Sequence, residues 1–338
     1  MRKPVGVAVI GCGMISQNHI KALQNLEGIE IYAFCDIDRS KAEAMAARYG
    51  VSNIFDDYKK LLLDDGVDVV HICTPHYLHP QMTVEAFEAG KHVLCEKPMS
   101  FTVEEGKRMI RARDEAGKQL AICFQNRYNE SSIYMKQVME SGVLGRLMGA
   151  RAQVTWNRRP EYYENSPWRG SWEKEGGGVL INQAIHTFDL LCWLTGNIRT
   201  VEASLSTKRL KQTIEVEDTV DVFMTGEQGE RFLFYASNCY VSNAPIELEI
   251  ICDRGSLKLV GNEVVTNRDG IVTKQDYTSG TVHGKDYWGS GHGLFIQDFY
   301  HCIKTGDRFP VSGEEALFTT SLLDAVYRSG KSGEVIKI

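Results

Sequence analysis

The sequence is poor in the features that would mark a membrane, secreted or nucleic-acid-binding protein. No long apolar run is present: the stretch after Met1-Arg2-Lys3-Pro4 lasts six residues before Gly11, too short for a membrane span or a secretory leader. A cytoplasmic protein with no membrane partner is expected. Basic excess is also missing, since 38 Lys and Arg face 44 Asp and Glu for a net charge of -6. With no basic tail or patch to hold a phosphate polymer, nucleic acid is not expected as a partner. Paired cysteines are absent too. The nine cysteines are scattered, odd in number and without a CxxC pair, which disfavours disulfides and structural zinc and leaves Cys35, Cys73 and Cys95 as small apolar packing residues. The histidines show no HxxxH or HxH pattern, so no catalytic metal is expected. No repeat, low-complexity tract or proline-rich linker interrupts the chain, and its domains should be joined tightly.

What is present is a chain of 338 residues, 43% hydrophobic and 24% charged, long enough for two domains. Its first third alternates short apolar runs with amphipathic stretches. Strands are expected at Val5–Ile10, Ile31–Cys35, Val67–Cys73, His92–Cys95 and Leu120–Phe124. Helices are expected at Ile15–Leu26, Ser40–Tyr49, Asp57–Leu63, Pro80–Ala89 and Val103–Ala116. Continuous apolar strands separated by helices imply a parallel sheet covered on both faces, a doubly wound α/β domain over residues 1–124. Beyond residue 125 the strands read as alternating runs, Val201–Thr207, Asp218–Thr225, Arg231–Asn238 and Ile246–Cys252. Residues 125–338 are therefore expected to form an α/β domain with a large, mostly antiparallel sheet and helices on one face, including Ser131–Ser141, Gly178–Leu194, Leu294–Lys304 and Glu314–Tyr327.

The first strand runs into Gly11-Cys12-Gly13-Met14-Ile15-Ser16. Gly11 allows the tight turn, Gly13 removes a Cβ that would obstruct a pyrophosphate, and the following helix turns its first amides toward the anion. Ser16 replaces the third glycine of the fingerprint but is small enough for close helix-strand packing. Asp36 follows at the end of the second strand, where its carboxylate can accept both adenosine-ribose hydroxyls and repel a 2′-phosphate, so NAD is preferred to NADP. Two details pull the other way: Arg39 could accommodate a phosphate, and Asp36 could instead cap the next helix.

Two further segments, Thr74-Pro75-His76-Tyr77-Leu78-His79 and Gly90-Lys91-His92-Val93-Leu94-Cys95-Glu96-Lys97-Pro98, resemble the Gfo/Idh/MocA family of oxidoreductases. The likeness continues through Gly176-Gly177-Gly178 to His186 and Asp189, and through Asp298-Phe299 to Tyr327, covering essentially the whole chain. The resemblance implies a Rossmann domain, an open-faced C-terminal α/β domain, and NAD(P)-linked oxidation or reduction of sugars, cyclitols or related polyols. It also implies a homodimer or homotetramer built through that sheet.

Oxidising a secondary alcohol needs a base for the hydroxyl proton and a cation beside the developing alkoxide. Lys97 lies just past strand His92–Cys95, at the carboxyl edge of the sheet, where its ammonium can hydrogen-bond the reacting oxygen, with Glu96 beside it. The resemblance makes His186 the general acid or base. Asn182 lies four residues earlier on the same face, at a position where many members of the family carry aspartate. Asparagine can orient the imidazole or hold a substrate hydroxyl without supplying charge, and Asp189 is one candidate to compensate. By the same resemblance Thr74, Pro75 and His79 line the nicotinamide and ribose, although His79 could equally cap the next helix, and Arg127 reaches the substrate. The loops carrying Trp156, Arg158, Tyr162, Trp168, Arg169 and Trp172 suit sugar faces and carboxylates or phosphates, which points to a sugar acid or sugar nucleotide as substrate, or could be pinned in place by their own rings. A second aromatic loop at residues 282–288 could close over the site. Two other readings remain open: an NAD-dependent oxidation-elimination of glycosides, and a dinucleotide-binding sensor, which retention of Lys97 and His186 argues against.

Overall fold

The computed structural model describes residues 3–196, 198–278 and 291–338. The chain divides into two compact units, Met1–Gln125 with His292–Thr320, and Asn126–Gly291 with Ser321–Ile338. The expected second aromatic loop lies outside the described residues.

In the first unit the chain alternates β1 (Val5–Ile10), α1 (Ser16–Leu23), β2 (Ile29–Cys35), α2 (Arg39–Tyr49), β3 (Asn53–Phe55), α3 (Tyr58–Leu62), β4 (Val69–Ile72), α4 (His79–Glu88), β5 (His92–Cys95), α5 (Val103–Ala116) and β6 (Leu120–Ile122). The six strands are parallel in the order β3-β2-β1-β4-β5-β6. This is a doubly wound sheet whose strand order reverses between β1 and β4. Val7, Val9, Val69, Val70, Val93 and Leu94 are fully buried, each contributing roughly 1.5–3 kcal/mol on leaving water. Helix boundaries follow local chemistry. Asp38 accepts the Ser40 amide at the start of α2, which ends on Gly50 at φ 70°. Thr102 accepts the Glu105 amide at the start of α5, which ends on Gly117 at φ 61°, so both helices stop on a residue free to adopt a left-handed conformation.

The second unit begins with α6 (Glu130–Glu140), β7 (Leu147–Thr155) and α7 (Pro160–Glu164). A π-turn at Leu180–Ala184 leads directly into α8 (Ile185–Thr195). Strands β8 (Ile198–Ser206), β9 (Thr219–Gly226), β10 (Arg231–Ser237), β11 (Glu247–Cys252), β12 (Gly255–Val260), β13 (Glu263–Arg268) and β14 (Ile271–Asp276) follow. Then come α9 (Gly291–Thr305), α10 (Gly313–Ser332) and β15 (Ile336–Lys337), with α9 and the start of α10 counted in the first unit almost entirely. The second sheet has nine strands in the order β14-β13-β12-β11-β7-β10-β9-β8-β15. Only the β7–β10 pair is parallel, so the expected mostly antiparallel sheet is present. Along β10, Phe232, Phe234 and Ala236 are buried whereas Leu233 is 52% exposed, the alternation of a sheet covered on one face. Helix α8 packs against β7 and β11 on the covered face. The opposite face carries a concavity of about 580 Å³ lined by residues that include Arg151, Asp221, Phe223, Leu233, Tyr235 and Glu249.

One expected element differs. The helix read as continuous over Gly178–Leu194 opens instead with the wider π-turn. Its first amides are held from outside, by the buried Glu217 carboxylate that accepts from Gly178 at 2.8 Å and Leu180 at 3.1 Å. Among the described residues no helix is long and apolar enough to cross a membrane.

Candidate active site

Strand register gathers half of the candidate residues at one edge. Ile10 lies opposite both Cys35 and Ile72, and Cys95 lies opposite Ile72. The residues that follow these four, Gly11, Asp36, Thr74-Pro75 and Glu96-Lys97, therefore all leave at the carboxyl edge of the parallel sheet, where open α/β folds hold their ligands.

Gly11 sits at φ 94°, and a Cβ there would come within 2.6 Å of the Cys73 carbonyl oxygen. Both the left-handed backbone and the close approach of the β1 and β4 ends require glycine. A Cβ on Gly13, by contrast, would meet no protein atom, and Met14 is 63% exposed. The rim of the loop is open, and Ile15 starts α1 without a side-chain cap. These residues fit a pyrophosphate against first-turn amides. Ser16 is fully buried and donates to the Gly13 carbonyl at 2.7 Å, so the residue standing in for the third glycine closes the loop on itself. The Asp36 carboxylate accepts the Cys12 amide at 2.8 Å and the Asp38 amide at 2.9 Å, and Asp38 rather than Asp36 caps α2. Arg39 is paired with Glu43 at 2.9 Å and Asp56 at 3.8 Å.

His79 is fully buried, with Nδ1 2.7 Å from the Pro98 carbonyl and Nε2 3.0 Å from the Thr74 carbonyl. It braces the Thr74-Pro75 loop against the turn after β5, in which the Lys97-Pro98 peptide is cis. Glu96 is buried and accepts from His19 Nε2 at 3.0 Å and from the Lys97 amide at 3.2 Å, while the Lys97 side chain is half-buried.

In the second unit the glycine run is dictated by crowding. A Cβ on Gly177 would strike the Tyr327 hydroxyl, and one on Gly178 the Glu217 carbonyl. The π-turn carries Asn182 and the first turn of α8 carries His186, both half-buried. Asn182 donates its side-chain amide to Glu175, a fully buried carboxylate that also accepts the Gly170 amide. The acid that meets Asn182 is thus Glu175. Asp189 instead forms a bidentate pair with Arg127 at 2.8 and 2.7 Å, the two side chains being 1% and 4% exposed, and the Arg127 guanidinium lies 5.4 Å from the Trp193 ring centre. Arg169 stacks 4.2 Å from the Tyr162 ring centre and 5.2 Å from that of Trp168, and Arg158 lies 5.3 Å from the same Tyr162 ring centre and 5.1 Å from that of Trp156. The Tyr162 hydroxyl accepts from Gln183, next to Asn182, at 3.1 Å.

Comparison with known proteins fits this geometry. A family model described as GFO_IDH_MocA, "Oxidoreductase family, NAD-binding Rossmann fold", matches residues 5–124, and the C-terminal domain model of the same family matches residues 133–258. The WlbA dehydrogenase of Bordetella pertussis, solved with NADH and UDP-GlcNAcA, is 32% identical, with 99% of each chain covered and a TM-score of 0.86. The chain belongs to the Gfo/Idh/MocA family of NAD-binding oxidoreductases. It is also 25% identical to the D-apiose dehydrogenase of Paraburkholderia graminis over 98% of this chain and 89% of that one. The inositol 2-dehydrogenase of Salmonella typhimurium is 29% identical over 65% of this chain and 68% of its own.

Two carboxylates of this Gfo/Idh/MocA oxidoreductase, Glu175 and Glu217, escape sequence reasoning, because each meets the π-turn from a distant or loop position and carries no spacing signal. Burial pushes the Glu217 carboxyl up to about 7, against the Leu180 and Gly178 amides and the Tyr327 hydroxyl that donate to it. The folded chain therefore holds this proton more tightly than the unfolded chain. Its stabilisation is fully present below the ordinary carboxylate range and is lost as the pH rises through about 7. Chemical denaturation across that window should show stability declining with pH, and Glu217→Gln should flatten the decline. The same substitution turns an amide N–H toward a backbone donor and lowers stability by about 1–3 kcal/mol.

Proposed function

We propose that this oxidoreductase transfers hydride between a ring carbinol carbon of an anionic sugar derivative, a sugar acid or a sugar nucleotide, and NAD. The observation that carries the substrate class is the pair of stacked guanidiniums. The Nε atoms of Arg158 and Arg169 are buried and meet no hydrogen-bond partner among the described residues. Their other hydrogen bonds go to the Asn157 and Tyr162 carbonyls and the Asn243 side-chain oxygen. A buried cation without a carboxylate is costly, and a ligand carboxylate or phosphate offsets that cost with charge-assisted hydrogen bonds. The UDP-GlcNAcA bound to the WlbA relative is an anionic sugar nucleotide of this class. Trp168 supplies an apolar face beside the cations.

NAD, when bound, accepts the hydride leaving the carbinol carbon. Gly11, Gly13, Met14 and Ile15 would hold its pyrophosphate, Asp36 its adenosine ribose, and Thr74, Pro75 and Lys97 its nicotinamide half, with buried His79 and Glu96 bracing the segments that carry them. Lys97 hydrogen-bonds the reacting oxygen and supports the developing alkoxide. His186 takes the hydroxyl proton during oxidation and returns it during reduction, since an imidazole titrates near working pH. Asn182, oriented by Glu175, holds the substrate beside His186. Arg127 acts on the substrate region by fixing the start of the second unit. Residues 1–124 serve the cofactor, joined in their unit by residues 292–320, and the rest of 125–338 serves substrate binding and assembly. The exposed sheet face around Leu233 fits self-association into a dimer or tetramer, and nine free cysteines fit a reducing cytosol.

The test is NADH formation from inositols, neutral aldoses, uronic acids and sugar nucleotides. Anionic sugars should give the highest kcat/KM. Arg169→Leu should raise their KM about ten- to a hundredfold and leave any neutral substrate unchanged. Neutral polyols turned over by the wild type as efficiently as anionic sugars, or an anionic-sugar KM unmoved in Arg169→Leu, would sink the anionic reading.

A further inference from the structure

Behind the Glu96-Lys97 turn, four buried side chains of the first unit form an unbroken file. The Tyr300 hydroxyl lies 2.9 Å from His71 Nε2, His71 Nδ1 lies 2.9 Å from His19 Nδ1, and His19 Nε2 lies 3.0 Å from the Glu96 carboxylate. His19 and His71 are fully buried, Glu96 is 5% and Tyr300 7% exposed. The file draws on α1, β4, the end of β5 and α9, so it is assembled by the fold and owes nothing to local sequence.

Its polarity follows from counting protons. An ionised carboxylate only accepts, so His19 must carry its proton on Nε2. A neutral His19 then accepts at Nδ1, which obliges His71 to donate from Nδ1 and leaves its Nε2 to accept from the Tyr300 hydroxyl. Every group is satisfied with both imidazoles neutral, and every bond points toward Glu96. Bonds aligned in this way polarise one another. We propose that Tyr300, His71 and His19 are positioning residues, a one-way donor file that keeps Glu96 ionised and fixed beside Lys97 so that the Lys97 ammonium keeps its charge and its place for hydride transfer. This rests on the role proposed for Lys97.

The surroundings agree. Burial alone would raise the Glu96 carboxyl, yet the hydrogen bond from His19, with the Lys97 charge acting in the same direction, brings it well below the ordinary carboxylate range. Burial drives His71 well down and Tyr300 well up, so neither ionises in the neutral range. The other groups facing Glu96 are His292, lowered to about 4 by burial, and the Cys73, Cys95 and Cys123 thiols, all raised by burial. His19, Glu96 and Cys123 bring ligand-type atoms within 4.8 Å of one another. Cys123, raised in this way, stays a thiol and donates to Gln125 Oε1 at 3.7 Å.

The first test needs no turnover. Long-range proton-nitrogen NMR of the full chain labelled at histidine should find His19 protonated on Nε2 and His71 on Nδ1, both neutral through the neutral range. An imidazolium at either position, or the reverse tautomers, would overturn the file even if no sugar is ever oxidised. The second test uses the pH profile of kcat. His19→Leu strips Glu96 of its side-chain donor, so the acidic limb should move up by about one pH unit or more. His19→Gln, which offers an amide N–H to Glu96, should keep the limb near wild type. Tyr300→Phe should lower kcat about fivefold with KM for NAD and sugar unchanged. An unmoved limb in His19→Leu, or equal shifts in both His19 variants, would refute the proposal. Should His19→Leu fail to fold, the tautomers and Tyr300→Phe still decide it.

Discussion

Lys97→Met should lower kcat for sugar oxidation about a thousandfold while changing the NAD dissociation constant by less than about tenfold. A preorganised cation aimed at a developing alkoxide contributes about 10²–10³ in rate, and the upper end of that range corresponds to about 4 kcal/mol of barrier. Methionine retains the length and most of the apolar stem of lysine, so packing around the half-buried side chain is kept. Stopped-flow measurement of the hydride step together with fluorescence titration of NAD separates the two quantities. His186→Ala should lower the same step about a hundredfold or more, with an effect that shrinks at high pH as solvent base replaces the imidazole. Activity within tenfold of wild type in Lys97→Met would remove it from the chemistry and leave Asp36 and the glycine loop as evidence of cofactor binding alone.

The second large effect is on stability. Asp189→Ala should destabilise the folded chain by about 3–5 kcal/mol, because it strands the Arg127 guanidinium, 4% exposed, without the carboxylate that holds it at 2.7 and 2.8 Å. The urea midpoint would fall while the slope of the transition stays the same. Much of that cost belongs to the orphaned charge and not to the pair itself. An Arg127→Met, Asp189→Leu double variant should therefore recover most of the loss, and a double variant no more stable than Asp189→Ala would show that the pair also fixes the local backbone.

The sequence carried the first sheet well because burial on both faces leaves continuous apolar runs. Val5–Ile10 and His92–Cys95 appear with the expected bounds, and the others differ by a few residues at their ends. β3 was missed because three residues cannot show a period. The second sheet was visible where Phe232 and Phe234 alternate with exposed positions. The π-turn was not visible, since its cause is the Glu217 carboxylate, 39 residues away from the Gly178 amide it accepts. Site residues followed the same division. Asp36 and Gly11 are legible because strand, turn and helix lie together in sequence. Glu175, Glu217 and the His19–Glu96 bond, which spans 77 residues, depend on tertiary approach and leave no spacing to read. Asp189 looked available to Asn182 because it lies two turns along the same helix, but a nearer demand, the buried Arg127 charge, claims it.

The Asp36 carboxylate has a consequence for how cofactor preference can change over evolution or by design. The residue that would repel a 2′-phosphate is also the staple that holds the Cys12 amide at 2.8 Å and so sets the shape of the glycine turn. A substitution that removes the side-chain acceptor together with the charge therefore frees the turn at the same moment, and the gain in charge complementarity arrives with a looser cradle. A residue that welcomes a 2′-phosphate from this background has to keep an acceptor for the Cys12 amide, as an asparagine oxygen at position 36 does.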